Sequence, residues 1–232
     1  MPRDTIAGVD RRQFLQAAVA GVAAGLVAPA APWWSAARGL TTRAALTPDE
    51  ALQELMTGNR RHVASRSTTM DVDVALLKKR TADKQEPFAA VLACADSRVP
   101  VELVFDQVIG QIFVVRAAGN IVTPEIVASL EYAVASLGIR ALLVLGHTDC
   151  GAVRAAMKTE AVAGQISSLG SRIQPAVGQS AGNVGKAIEA NARIQANLLR
   201  TSSAVIRQAI SARTLKVTSG IYDLSTGKVA VS

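Results

Sequence analysis

Phe88-Ala89-Ala90-Val91-Leu92-Ala93-Cys94-Ala95-Asp96-Ser97-Arg98 is the stretch on which the reading of this chain turns. Its first six residues are apolar without alternation, the pattern of a strand buried on both faces. Chemistry-bearing side chains follow at once. Two further runs have the same character, Ile112-Phe113-Val114-Val115 and Ala141-Leu142-Leu143-Val144-Leu145. Between them Thr123-Pro124-Glu125 opens a helical run through Leu137, which Gly138 ends. A strand–helix–strand order at this spacing calls for parallel strands joined by right-handed crossovers. The expected class is α/β, with a mostly parallel central sheet flanked by helices.

Outward from this centre, Thr47-Pro48-Asp49-Glu50 has capping-box spacing with Pro at the first helical position. Ala51, Leu52, Leu55 and Met56 then form an apolar stripe, which Gly58-Asn59 is expected to interrupt. This N-terminal arm stands outside the main sheet, and its stripe needs a surface to cover it. Beyond the third strand, a helix is expected from Gly151 to Met157. The Gly- and Ser-rich Gln165–Gln179 stretch has no clear period and reads as loop with short helical pieces. Helices follow over Asn183–Arg200 and Val205–Ser211. Strands at Leu215–Tyr222 and Lys228–Val231 flank a hairpin loop.

The 232 residues are 50% hydrophobic and 19% charged, with a mean hydropathy of +0.27, which excludes intrinsic disorder. Aromatics at 3% leave little material for a base-stacking surface. The net charge of +7 is scattered, and its densest run, Lys78-Lys79-Arg80, is too short for a nucleic-acid stripe. No nucleic-acid partner is expected.

The N-terminus reads as an address. Asp10-Arg11-Arg12-Gln13-Phe14-Leu15 precedes an apolar run from Ala17 to Ala28 that Gly21 and Gly25 soften. The run is short for a membrane span, and Ala28-Pro29-Ala30 supplies an A-x-A cleavage site. Paired arginines before a weakly apolar segment resemble a twin-arginine export signal. The expected organisation is a signal peptide over 1–30, a linker over 31–46 and one catalytic domain over 47–232. Export across the cytoplasmic membrane would follow, with no stable membrane span after processing. Loss of Arg3, Arg11 and Arg12 with Asp4 and Asp10 lowers the net charge only to +6.

Cys94-Ala95-Asp96-Ser97-Arg98 follows the first strand directly, and His147-Thr148-Asp149-Cys150-Gly151 follows the third. In open parallel sheets, ligands bind beyond the carboxyl ends of the strands. Both cysteines of the chain and one of its two histidines therefore fall where a site should form. Cys, His and Cys make a donor set suited to zinc, and three ligands leave a fourth position open for catalysis. The competing reading is a Cys94–Cys150 disulfide, which an oxidising compartment would favour.

The three motifs C-A-D-S-R, F-V-V-R-A-A-G-N and H-T-D-C-G resemble the β-class carbonic anhydrase family. Supporting matches run from Leu55–Arg60 to Ile221-Tyr222-Asp223-Leu224. The resemblance implies one Zn²⁺ per subunit on Cys94, His147 and Cys150, with Asp96 and Arg98 as a catalytic dyad. It also implies a substrate contact from Gln85, nine positions before the first cysteine. The reaction it implies is reversible hydration of carbon dioxide to bicarbonate and a proton, by attack of zinc-bound hydroxide. Asp96 would orient the bound water while Arg98 keeps it ionised. In the family's alternative resting state, Asp96 becomes a fourth metal ligand. Gln85 favours the open state. The Gly151 backbone N–H is a further candidate donor to substrate. Gln111, Ala118 and His62 depart from the family pattern, none of them at a ligand position. His62 is expected to be an exposed or packing residue rather than a proton shuttle. A homodimer with shared sites, or a tetramer built from dimers, is implied as the assembly. Two rival readings stay open: a non-catalytic exported zinc- or anion-binding module, and an offshoot hydrolysing a sulfur analogue of carbon dioxide.

Overall fold

A computed structural model describes residues 46–69, 73–158 and 164–232, all within one compact unit. The segments expected to be a signal peptide, 1–30, and a linker, 31–46, lie outside the described residues but for residue 46. The chain runs through α1 (Pro48–Val63), α2 (Val74–Thr81), β1 (Ala89–Ala93), α3 (Val101–Val104), β2 (Ile112–Arg116), a 3-10 turn (Ala118–Asn120), α4 (Pro124–Ala135) and β3 (Ala141–His147). It continues through α5 (Gly151–Ala156), α6 (Ile166–Gly178), α7 (Val184–Ser202), α8 (Ala204–Ser211), β4 (Lys216–Tyr222) and β5 (Val229–Val231).

The five strands pair in the order β2-β1-β3-β4-β5. The first four are parallel, and β5 returns antiparallel along β4. β1 and β3 are buried along their whole length, as their unbroken apolar runs require. Alternate residues feed two cores. Val91, Leu143 and Leu145 pack with Leu55 of α1, Val101 of α3 and Phe105 just beyond it. Leu92, Leu142 and Val144 face Leu130 of α4, Leu199 of α7 and Ile206 of α8. A third, smaller core gathers Cys94 and Cys150 with Val153 of α5, Ile173 of α6 and Ile188 of α7.

The expected α/β sheet flanked by helices is therefore present, with three local corrections. Helix α1 begins on its capping box, with Thr47 Oγ1 accepting from the Glu50 amide and the Glu50 carboxylate from the Thr47 amide. It does not stop at Gly58-Asn59. A Cβ at Gly58 would sit 1.7 Å from the Phe105 carbonyl oxygen, so glycine is what lets the helix lie against that loop. Asn59 then donates to the Val104 and Gly227 carbonyls and accepts the Val229 amide, stitching three segments together.

The stripe on α1 is also covered differently from the expectation. Ala51 and Leu55 are fully buried against this same chain, so they call for no second surface. Finally, residues 166–178 form one helix. Ser168 and Ser171 return their hydroxyls to carbonyls three residues back. Leu169, Ile173 and Val177 share one face and pack into the third core. Burial of that stripe overrides the poor helix propensity of Gly and Ser.

Candidate metal centre

Parallel pairing brings the carboxyl ends of β1 and β3 side by side, with Ala93 opposite Leu145. Cys94 leaves the first strand as His147 ends the second, and Cys150 caps the start of α5. The ligand atoms of Cys94, His147 and Cys150 all lie within 4.8 Å of one another. Each side chain is buried, His147 completely. Both cysteines are free thiols, with their sulfurs 3.9 Å apart.

The imidazole is set up as a ligand. Its Nδ1–H donates to the Thr148 carbonyl at 2.9 Å, because a carbonyl can only accept. The lone pair is thereby left on Nε2. That atom is buried and has no hydrogen-bond partner. An orphaned buried acceptor is costly unless something else fills its need. Two sulfurs and one unpartnered imidazole nitrogen converging on one point suit a borderline-soft divalent cation.

The two sulfurs are close enough to share a proton, with either able to donate. Their pairing holds the Cys94 thiol well below its ordinary range against the opposing effect of burial, and the Gly119 amide helps. The same pairing, with burial, pushes Cys150 well above the ordinary thiol range. A cation would displace the shared proton, so metal uptake here releases it. Burial favours neutral His147, but the Cys94 sulfur and Asp96 outweigh it and raise its pKa.

Asp96 and Arg98 flank this cluster. Arg98 Nε and Nη2 bind the two Asp96 oxygens at 3.0 and 2.8 Å, and the Arg98 amide adds a third bond at 2.9 Å. The Arg98 guanidinium holds the Asp96 carboxyl well below its usual range, against the opposing effect of burial. Asp96 Oδ2 lies 3.8 Å from His147 Nε2, and the carboxylate is engaged by Arg98 rather than included in the three-ligand cluster. Arg98 also reaches Asp149, which pairs with Arg154.

Gly151 is exposed at the start of α5, where it opens onto a hollow lined by Arg154, Met157, Lys158 and Val184. Gln85 is placed elsewhere. It lies exposed on the approach to Ala89, the end of β1 opposite to Cys94. Five residues at about 3.3 Å each separate those ends by about 16 Å. His62 packs its ring against Gly227, with its centroid 6.4 Å from that of Tyr222, and is not part of the cluster.

Two groups beside the cluster are not evident from motif spacing. Arg116, at the end of β2, donates to the Cys94 and Asp96 carbonyls at 2.9 and 2.5 Å and so braces the loop between them. The Gly119 amide donates to Cys94 Sγ at 3.2 Å. The available signal was F-V-V-R-A-A-G-N itself, which ends the strand beside β1.

An open parallel sheet with a buried Cys–His–Cys cluster at its carboxyl edge defines an α/β protein with a three-ligand metal-type centre. Comparison with known proteins makes the class specific. Residues 89–229 match the family model described as carbonic anhydrase. The Mycobacterium tuberculosis protein named carbonic anhydrase 2 is 33% identical over 196 residues, spanning 79% of this chain and 92% of that one. A β-carbonic anhydrase structure from Aspergillus fumigatus superposes with a TM-score of 0.64 at 25% identity, covering 68% of this chain and 81% of that one. A tetrameric β-carbonic anhydrase from Sordaria macrospora gives 0.63 at 24% identity, with 68% and 86% covered. This chain belongs to the carbonic anhydrase family, and it is an enzyme of the β class.

Proposed function

We propose that this enzyme carries out zinc-dependent, reversible hydration of carbon dioxide at Cys94, His147 and Cys150. The observation that carries the proposal is the unpartnered, buried His147 Nε2 facing two free sulfurs. Zinc held by such a set supplies Lewis acidity that lowers the pKa of water from about 15.7 toward about 7. The remaining chemistry belongs to the chain. Two thiolates weaken the metal's pull on water, so neighbouring groups have to compensate. Asp96, fixed by Arg98 and kept ionised, accepts a hydrogen bond from the attacking water and turns its lone pair toward carbon dioxide. Arg98 acts through Asp96 and is its positioning residue. The exposed Gly151 amide, at the start of a helix, is the candidate donor to a bicarbonate oxygen.

Gln85 contributes through assembly in this account. It lies at the wrong end of β1 to serve its own cluster, so it serves the site of a second copy. The free edge of β2 supports pairing. That strand is only half-buried, and exposed Ile109 and Tyr132 flank it. The proposed assembly is a homodimer with shared sites, or a tetramer built from such dimers. Export by the twin-arginine route, with residues 1–30 as the signal, is the proposed localisation. Among the described residues, no helix is long and apolar enough to cross a membrane.

Stopped-flow hydration tests the activity on protein lacking residues 1–30, before and after chelation. Stripping zinc should abolish turnover, and added zinc should restore it. A metal-stripped enzyme of undiminished rate would remove the centre from the reaction. Hydrolysis of carbon disulfide with no hydration of carbon dioxide would favour the sulfur-analogue reading.

A further inference from the structure

The brace on Cys94 continues into helix α7. Gly119, whose amide donates to the Cys94 sulfur at 3.2 Å, lies in a turn where it and Asn120 both have positive φ, +74° and +44°. A Cβ at Gly119 would meet Ile173 Cδ1 at 2.8 Å, so the turn is pressed against α6. The other polar group of Gly119 is also taken. Its carbonyl accepts Asn191 Nδ2 at 2.8 Å, across 72 residues of sequence.

Asn191 is 1% exposed, as is Gln195 one turn later on α7. Gln195 Nε2 donates to Asn191 Oδ1 and to the Arg172 carbonyl, each at 3.2 Å, and its Oε1 accepts the Val122 amide at 2.8 Å. The Asn191 amide thus has one orientation in which both of its ends are satisfied, and in that orientation it holds Gly119. A buried amide in a network of this kind is rigid, because any rotation leaves polar groups unpaired in a low-dielectric setting.

We infer that Asn191 is a positioning residue for the metal centre: by holding the Gly119 carbonyl from α7, it keeps the Gly119 amide on the Cys94 sulfur and sets the direction and donor strength of that ligand. The inference rests on the metal-centre reading above. Groups that orient ligands in this way typically contribute tenfold or more to metal affinity.

The test compares Asn191→Leu with wild type in the full chain, loaded with cobalt and with zinc. Asn191→Leu should lose roughly tenfold in zinc affinity in competition with a chromophoric chelator. It should also shift the sulfur-to-cobalt charge-transfer band. Asn59→Leu removes a buried amide of the same kind whose partners, Val104, Gly227 and Val229, lie outside the Gly119 turn, and it should leave both readouts within about twofold of wild type. A folded Asn191→Leu with unchanged band and affinity would overturn the inference, as would equal effects of the two variants. Should Asn191→Leu fail to fold, wild type decides the link that Asn191 maintains. With NMR-active cadmium bound, a coupling between metal and the Gly119 amide proton through the hydrogen bond supports it, and a rapidly exchanging, uncoupled proton defeats it. A wild-type chain that takes up no stoichiometric metal would defeat the metal reading, and this inference with it. Metal uptake with indifferent Asn191 variants defeats the inference alone.

Discussion

Arg98 holds Asp96 by both carboxylate oxygens, two residues beyond Cys94, through bonds of 3.0 and 2.8 Å. The pair is partly exposed, with half of the Arg98 side chain open to solvent, so its contribution to fold stability is small. Its consequence is chemical: the carboxylate stays ionised and keeps one direction, with Oδ2 held 3.8 Å from His147 Nε2.

Asp96→Asn should therefore keep its zinc and lose turnover, by about 100-fold. An amide presents an NH2 where the carboxylate presents an acceptor, and it lacks the charge. Stopped-flow rates beside metal analysis of the same sample check this. Full activity in the variant would take the Asp96–Arg98 pair out of the mechanism.

Cys150→Ser should lose stoichiometric zinc and activity together, since a hydroxyl replaces a thiolate ligand. Metal content by mass spectrometry is the readout. Full zinc occupancy in the variant would exclude Cys150 from the coordination sphere.

Much of this centre was legible from strand ends. The apolar runs at 88–93 and 141–145 fix two buried strands, and the rule for parallel sheets then places Cys94, Asp96, His147 and Cys150 on one edge. What stayed hidden depends on contacts between distant segments. Gly58 reads as an interruption until the Phe105 carbonyl lies against it, and 166–178 reads as loop until its apolar face meets the third core. Asn191 carries no motif at all. Its role exists only because α7 passes under the turn at Gly119. Gln85 matched a family spacing, but spacing does not reveal that it lies at the end of β1 opposite to Cys94.

Complementation tests the shared site. Gln85→Ala and Cys150→Ser chains each carry a defect, but in a mixed dimer one site combines an intact metal cluster with an intact Gln85. Mixing the two should yield more hydration activity than the sum of the separate preparations. Strict additivity after verified subunit exchange would mean that Gln85 serves no neighbouring site.

Arg11→Lys with Arg12→Lys should retain the precursor in the cytoplasm as active enzyme, because lysine keeps the charge but not the planar fork of arginine. Cell fractionation reads this out. Normal export of the double variant would assign residues 1–30 to another route or to no signal.

Asp106 gives the fold an acid limit. Its side chain is fully buried and accepts from Arg61, Ser67, Thr68 and Thr69. Burial alone would raise its pKa, but these donors outweigh burial and hold it well below the carboxylate range. The unfolded chain binds this proton near pH 3.9, so the stabilisation is complete above that value and is lost as pH falls toward the folded pKa. Asp106→Ala should cost roughly 3–5 kcal/mol at neutral pH. The variant should also show a flatter decline of melting temperature below pH 4 than wild type. Equal acid profiles would place the acid-sensitive groups elsewhere.

A crystal structure near neutral pH with anomalous data at the zinc edge reads the coordination of the centre directly. One zinc per chain is expected, bonded to Cys94 and Cys150 Sγ at about 2.3 Å and to His147 Nε2 at about 2.0–2.1 Å, with Asp96 still paired to Arg98. A zinc peak away from these three atoms would contradict the centre. An Asp96 oxygen at about 2.0–2.2 Å from the metal would contradict the open resting state.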